Sequence, residues 1–173
     1  LWQRTNPADE NNLIELGTRS LLVEDGKKLI LIDCGLGNKQ DEKFFGHYSL
    51  WGDDSLDKNL KKYGFVREDI TDVFLTHLHF DHCGGAIEWN DDKTGYRPAF
   101  KNAHFWTNEN HWKWATEPNP REKASFLKEN ILPMQESGQL NFLPIPQNGN
   151  YGFAPDLKMD VIFVDGHTEK QML

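Results

Sequence analysis

Several large functional classes are excluded by what this chain has little of. Only two cysteines, Cys34 and Cys83, occur in 173 residues, too few for a disulfide framework and in keeping with a reducing compartment. Lys and Arg number 19 against 27 Asp and Glu, a formal net charge of -8, so the basic footprint that nucleic acid requires is missing. No apolar run approaches the roughly 20 residues that cross a bilayer. There is no internal repeat, low-complexity linker or glycine-rich phosphate loop. Residues 1–173 are enough for one globular core and read as a single domain. A cytoplasmic location is expected, with a signal peptide left open because the chain starts at Leu1 rather than methionine.

Against that background one segment stands out. Thr76-His77-Leu78-His79-Phe80-Asp81-His82 sets four potential metal ligands within the six positions 77–82. His77 and His79 are two apart, so at the end of a strand both imidazoles leave the same face. Asp81 and His82 follow where the chain must turn and can point at a second position. Three imidazoles and a carboxylate suit zinc or a similar borderline cation. The preceding Asp72-Val73-Phe74-Leu75-Thr76 reads as a short buried strand that would hold the ligands rigid, and Gly84-Gly85 allows a close backbone turn afterwards. Cys34 and Cys83 flank this region. They read as small semi-buried side chains beside tight turns, with a redox-sensitive pair as the alternative.

These residues resemble the His-x-His-x-Asp-His signature of the metallo-β-lactamase superfamily, matched at His77, His79, Asp81 and His82. Upstream, Leu29-Ile30-Leu31-Ile32-Asp33-Cys34-Gly35 is similar to the family's hydrophobic strand ending in aspartate and glycine. Downstream, Val161 to Thr168 is similar to its strand and Gly-His-Thr, so the resemblance spans residues 13–168. It implies an α/β fold, a four-layer αββα sandwich with two divalent metal ions at one edge between the sheets. Zinc is the expected ion, with iron or manganese as alternatives. His77, His79 and His167 would hold the first ion, and Asp81 and His82 the second. Asp33 would orient the ligand loop without being a ligand. The implied chemistry is hydrolysis by a metal-bridging hydroxide, with Asp81 placed to accept or pass a proton. Two departures matter. Lys170 stands where many relatives carry a glycine, which bears on the local turn. The family's later bridging aspartate and last histidine have no counterpart before Leu173, so further strands and ligands are expected beyond this chain.

The string HLHFDHCGG, with Asn119 to Lys123 and Glu129 to Pro133, is similar to the N-acyl homoserine lactonases and the methyl parathion hydrolase group. That likeness implies a small-molecule ester or lactone as substrate. The alternatives are a thioesterase or phosphodiesterase on the same metals, or a metal-binding module that has lost turnover. No nucleic-acid or membrane partner is expected, and a homodimer is allowed. Phe44, Phe45, Tyr48 and Trp51 cluster in a stretch too polar and glycine-broken for a regular core helix, and read as an apolar substrate wall. Trp106, Trp112 and Trp114 read as core. His47, His104 and His111 stand isolated; His104 reads as packed or superficial, and an approach of His47 to a ligand is only the minor alternative.

Periodicity predicts strands at 18–24 and 29–33 around an Asp25-Gly26 turn. A helix is predicted at 55–63, capped by Asp54 or Ser55 and stopped by Gly64. A short helix is expected at 85–89, a strand at 102–107, and helices at 109–115 and 121–132, the latter opened by Pro120 and closed before Pro133. Strands are predicted at 140–143 and 159–164, and Gln171-Met172-Leu173 reads as the start of another.

Overall fold

The structure is a computed structural model and describes residues 2–173. Its centre is a five-stranded sheet. Strands β1 (Leu21–Glu24) and β2 (Leu29–Ile32) form the expected hairpin. Parallel to β2 run β3 (Asp72–Phe74), then β6 (His104–Thr107) and β7 (Leu140–Phe142), giving the order β1-β2-β3-β6-β7. The register aligns Leu31 with Val73 and Val73 with Phe105 on one face; Ile32, Phe74 and Trp106 align on the other. Both faces of the central strands β2 and β3 are covered, which is why the stretches around them read as apolar runs rather than alternating ones.

One face packs on helices. Leu29, Leu31, Val73 and Phe105 meet Leu60 of α3 (Leu56–Lys62), Trp112 and Ala115 of α5 (Glu109–Thr116), and Ile131 and Met134 of α6 (Lys128–Glu136). Ser55 caps α3 through Lys58 N, as its sequence predicts. The opposite face carries Ile30, Phe74 and Trp106. It packs on Ala154, Val161, Phe163 and Met172 of a second sheet, built from β8 (Tyr151–Ala154), β9 (Met159–Val164) and β10 (Gln171–Met172) in the order β10-β9-β8. Helix, sheet and sheet are thus layers of the αββα sandwich; on the outer face of the second sheet Tyr151, Phe153 and Ile162 are exposed. Trp106 and Trp112 are core residues, and Trp114 packs against the core.

Buried between the layers, Asp72 is fully satisfied. It accepts from Lys28 Nζ at 3.1 Å, Trp106 Nε1 at 2.8 Å and Thr71 Oγ1 at 2.7 Å, the pairing a carboxylate away from water requires.

Two expectations are corrected. Residues 85–89 are not a helix: after a single 3₁₀ turn at Gly84–Ala86, β4 (Ile87–Trp89) pairs with β5 (Tyr96–Pro98). β-branched Ile87 and the stacking of Trp89 on Tyr96, centroids 4.4 Å apart, favour the ribbon. Nor does a helix run over 121–132. Asn119 Oδ1 accepts from Arg121 N and Glu122 N in a side-chain turn, which competes with helix initiation. The helix begins at Lys128 and carries Pro133 inside it. Burial of Asn130, Ile131, Pro133 and Met134 offsets the one backbone bond the proline removes.

Candidate metal centre

The ligand segment leaves β3 at the edge where the two sheets meet. Leu75 N donates to Trp106 O, and Met172 N donates to Thr76 O, so both sheets grip its start. A four-residue helix, α4 (Phe80–Cys83), then turns the chain away. Gly84 and Gly85 are required there: a Cβ on either would land on the carbonyl oxygen of Leu36 or Cys34. This close approach seats the segment after β2 directly against the ligand loop, with Cys34 N donating to His82 O at 2.8 Å. Buried Lys39 donates to the Gly84 carbonyl, and burial pulls its pKa down to about 8.

Asp33 joins these segments. Its backbone is left-handed, with φ 55°. Its carboxylate accepts from Thr76 N at 2.9 Å, Thr76 Oγ1 at 2.8 Å and His82 Nδ1 at 2.7 Å. Thr76 spends its one hydroxyl proton on Asp33 and so accepts from His77 Nδ1 at 3.1 Å. That assigns the His77 proton to Nδ1 and leaves the Nε2 lone pair free.

His77, His79 and His167 converge, one ligand atom from each lying within 4.8 Å of the others. His77 Nε2 and His79 Nε2 are buried with no hydrogen-bond partner, an expensive arrangement for polar atoms unless an electrophile meets them. Burial first, then the neighbouring His82, His79 and His167, pushes the His77 pKa down to about 2. Burial and His167 likewise lower that of His79. Neutral, unprotonated imidazoles are the form that coordinates metal, so the residues present fit a divalent cation.

Asp81 and His82 stand beside this group. His82 Nε2 lies 3.5 Å from Asp81 Oδ2, and the His82 ring centroid is 3.9 Å from that of His77. Burial lowers the His82 pKa, but the bond to Asp33 and its charge outweigh that and raise it. Asp81 is 42 % exposed. The aromatic stretch lies alongside: α2 (Glu42–Gly46), capped by Asp41, sets Phe44 edge-to-face against Phe80 with centroids 5.3 Å apart, and Tyr48 meets Phe80 at 5.0 Å. Phe45 packs on Phe44, whereas Trp51 is 74 % exposed. His47 is exposed at the C-terminal cap of α2.

Two residues escaped the sequence reading. His111 is not isolated: it is completely buried beside the ligand loop, and burial lowers its pKa to about 4. Glu122 Oε2 accepts from Trp114 Nε1 and Thr168 Oγ1 and lies 3.9 Å from His79 Nε2. Neither carries a spacing signal of its own: His111 is a lone histidine on a helix, and Glu122, though within the Asn119 to Lys123 stretch, is a single glutamate in a turn. Lys170 adopts the left-handed conformation, φ 49°, that glycine would take freely. Asp165 compensates by accepting from Lys170 N at 3.0 Å and Nζ at 2.6 Å. Both cysteines are buried free thiols; burial raises both pKa values, that of Cys83 to about 12. Such thiols are structural rather than reactive.

Comparison with known proteins agrees with this geometry. A family model described as the metallo-beta-lactamase superfamily matches residues 13–152. An N-acyl homoserine lactonase of Bacillus cereus is 26% identical over 167 residues, covering 91% of this chain and 57% of the relative. A structure described as a probable metal-dependent hydrolase from Staphylococcus aureus superposes with a TM-score of 0.83 at 26% identity, over 99% of this chain and 57% of that one. AidC, a dizinc quorum-quenching lactonase, superposes with a TM-score of 0.53 at 25% identity, over 88% and 54%. The chain therefore spans a little over half the length of each of these relatives.

Proposed function

The chain belongs to the metallo-β-lactamase superfamily, and from that membership we propose that it works as a metal-dependent hydrolase of neutral esters or lactones. The observation that carries this reading is the convergence of three imidazole ligand atoms within 4.8 Å, with His77 Nε2 and His79 Nε2 buried and without a hydrogen-bond partner. In this reading His77, His79 and His167 hold one divalent ion, and Asp81 with His82 begins a second site. Zinc is the ion that best suits the first set, being matched to nitrogen ligands in tetrahedral arrangement. A bound ion supplies a Lewis acid that polarises a carbonyl and lowers the pKa of water.

The remaining work falls to the protein. Asp33 holds His82 and the Thr76–His77 pair in fixed orientation. Asp81, half in solvent, can accept a proton at its carboxylate. Phe80, Phe44 and Tyr48 form an apolar wall beside the ligands that suits an acyl chain and excludes water from it. Phe45, packed on Phe44, would extend that wall. The acidic net charge favours a neutral substrate over a polyanion, and the lactonase relatives point to the same class.

The test is a side-by-side assay of the full-length protein, zinc-loaded, with an acyl lactone, an aryl ester, a thioester and a phosphodiester. The lactone or ester should be turned over fastest. Preference for the thioester or phosphodiester would contradict the substrate class while leaving the metal centre standing.

A further inference from the structure

The ligand loop has a backbone problem that a side chain far along the chain solves. Leu78 sits between His77 and His79, completely buried, and its N–H needs an acceptor. That acceptor is His111 Nε2, at 2.9 Å. Accepting there forces the imidazole proton onto Nδ1, and Nδ1 donates it to the carbonyl of Glu169 at 2.6 Å. Glu169 lies two residues past His167. One ring therefore bonds the segment carrying His77 and His79 at one nitrogen and the segment carrying His167 at the other.

We propose that His111 is a positioning residue which sets the His77–His79 segment against the His167 segment and so fixes the geometry of the three-histidine group. The proposal rests on the reading of that group as a metal centre. His111 is not itself a ligand: both nitrogens are engaged, its ring centroid is 6.4 Å from that of His77, and it stands outside the converging trio. Its own placement is rigid. Asn108, at the N-terminal end of α5, accepts from His111 N at 2.8 Å and donates to Lys170 O at 2.8 Å. The first turn of α5 thus clamps residues 169 and 170 at two adjacent carbonyls.

The experiment measures Zn²⁺ affinity by chelator competition and the visible spectrum of the Co²⁺ form. It compares the wild-type chain with His111→Phe, His111→Gln and His111→Asn, with His104→Gln as an exposed control. His111→Phe removes both bonds and should weaken Zn²⁺ binding roughly 10- to 100-fold, the usual effect of losing a group that orients ligands. It should also alter the Co²⁺ spectrum, which a purely structural role would leave unchanged. His111→Gln keeps an acceptor for Leu78 N–H and should recover part of the loss; the control should match wild type. A folded His111→Phe with wild-type affinity and spectrum would overturn the proposal, as would a His111→Gln no better than the phenylalanine variant. Should His111→Phe not fold, the Gln and Asn variants decide, each keeping one of the two bonds. Both are expected to bind several-fold more weakly, and wild-type affinity in both would overturn the proposal. A wild-type chain binding neither ion is a separate result, and it would remove the metal-centre reading on which the proposal stands.

Discussion

At Asp33 a left-handed backbone and a triply engaged carboxylate coincide. The residue ends β2, accepts two bonds from Thr76 and one from His82, and through Thr76 sets the proton on His77. Asparagine tolerates the same backbone conformation, so Asp33→Asn isolates the loss of the charged acceptor from backbone strain. It should lower metal affinity roughly 10- to 100-fold while circular dichroism stays that of the wild type. Wild-type affinity in this variant, measured by chelator competition, would mean that Asp33 merely ends a strand. His82 would be the residue most affected, since its pKa is raised chiefly through this contact against the opposing effect of burial.

Among the elements, the junction of the post-β2 segment with the ligand loop is the tightest. Gly84 and Gly85 let two backbones touch where any side chain would overlap a carbonyl. Gly84→Ala should therefore destabilise by about 3 kcal/mol or more, the upper range for overpacking, read as a lowered urea midpoint with unchanged slope. Much of this architecture was legible beforehand. β2 and β3 are apolar runs because both faces of each contribute to packed layers, β9 buries Val161 and Phe163 on its inner face, and the ligand motif is contiguous. The misread elements are those decided by tertiary contacts. Residues 85–89 became a strand because Tyr96 lies opposite Trp89. The tract after Pro120 failed to start a helix because Asn119 captured its amides and Glu122 turned to Trp114 and Thr168. His111 was illegible for the same reason: its partners, Leu78 and Glu169, are 33 and 58 positions away.

Across the whole molecule, burial of neutral histidines couples stability to pH. His111 titrates at about 4 when folded against an ordinary 6.5. Below 6.5 the unfolded chain takes up a proton that the folded chain refuses until about 4, so stability falls as pH drops through that window. The full effect of His111 is about 3 kcal/mol, from 1.36 kcal/mol per unit. His82, with its raised pKa, works in the opposite sense: its contribution is present below 6.5 and is lost as pH rises through the raised value. In metal-free protein, then, denaturation at pH 7 and pH 4.5 should show His111→Gln losing less stability on acidification than wild type. An identical loss in both would contradict the buried neutral ring.

Metal should stabilise the same fold by mass action, about 2.7 kcal/mol at a hundredfold excess over Kd. The central claim is that His77, His79 and His167 together hold a divalent ion. Elemental analysis of zinc bound to purified full-length wild type, His77→Ala and His79→Ala tests it most directly. The expected result is stoichiometric zinc in the wild type and strongly reduced zinc in both variants, with hydrolysis lost in parallel. Unchanged zinc content in both variants would contradict the account.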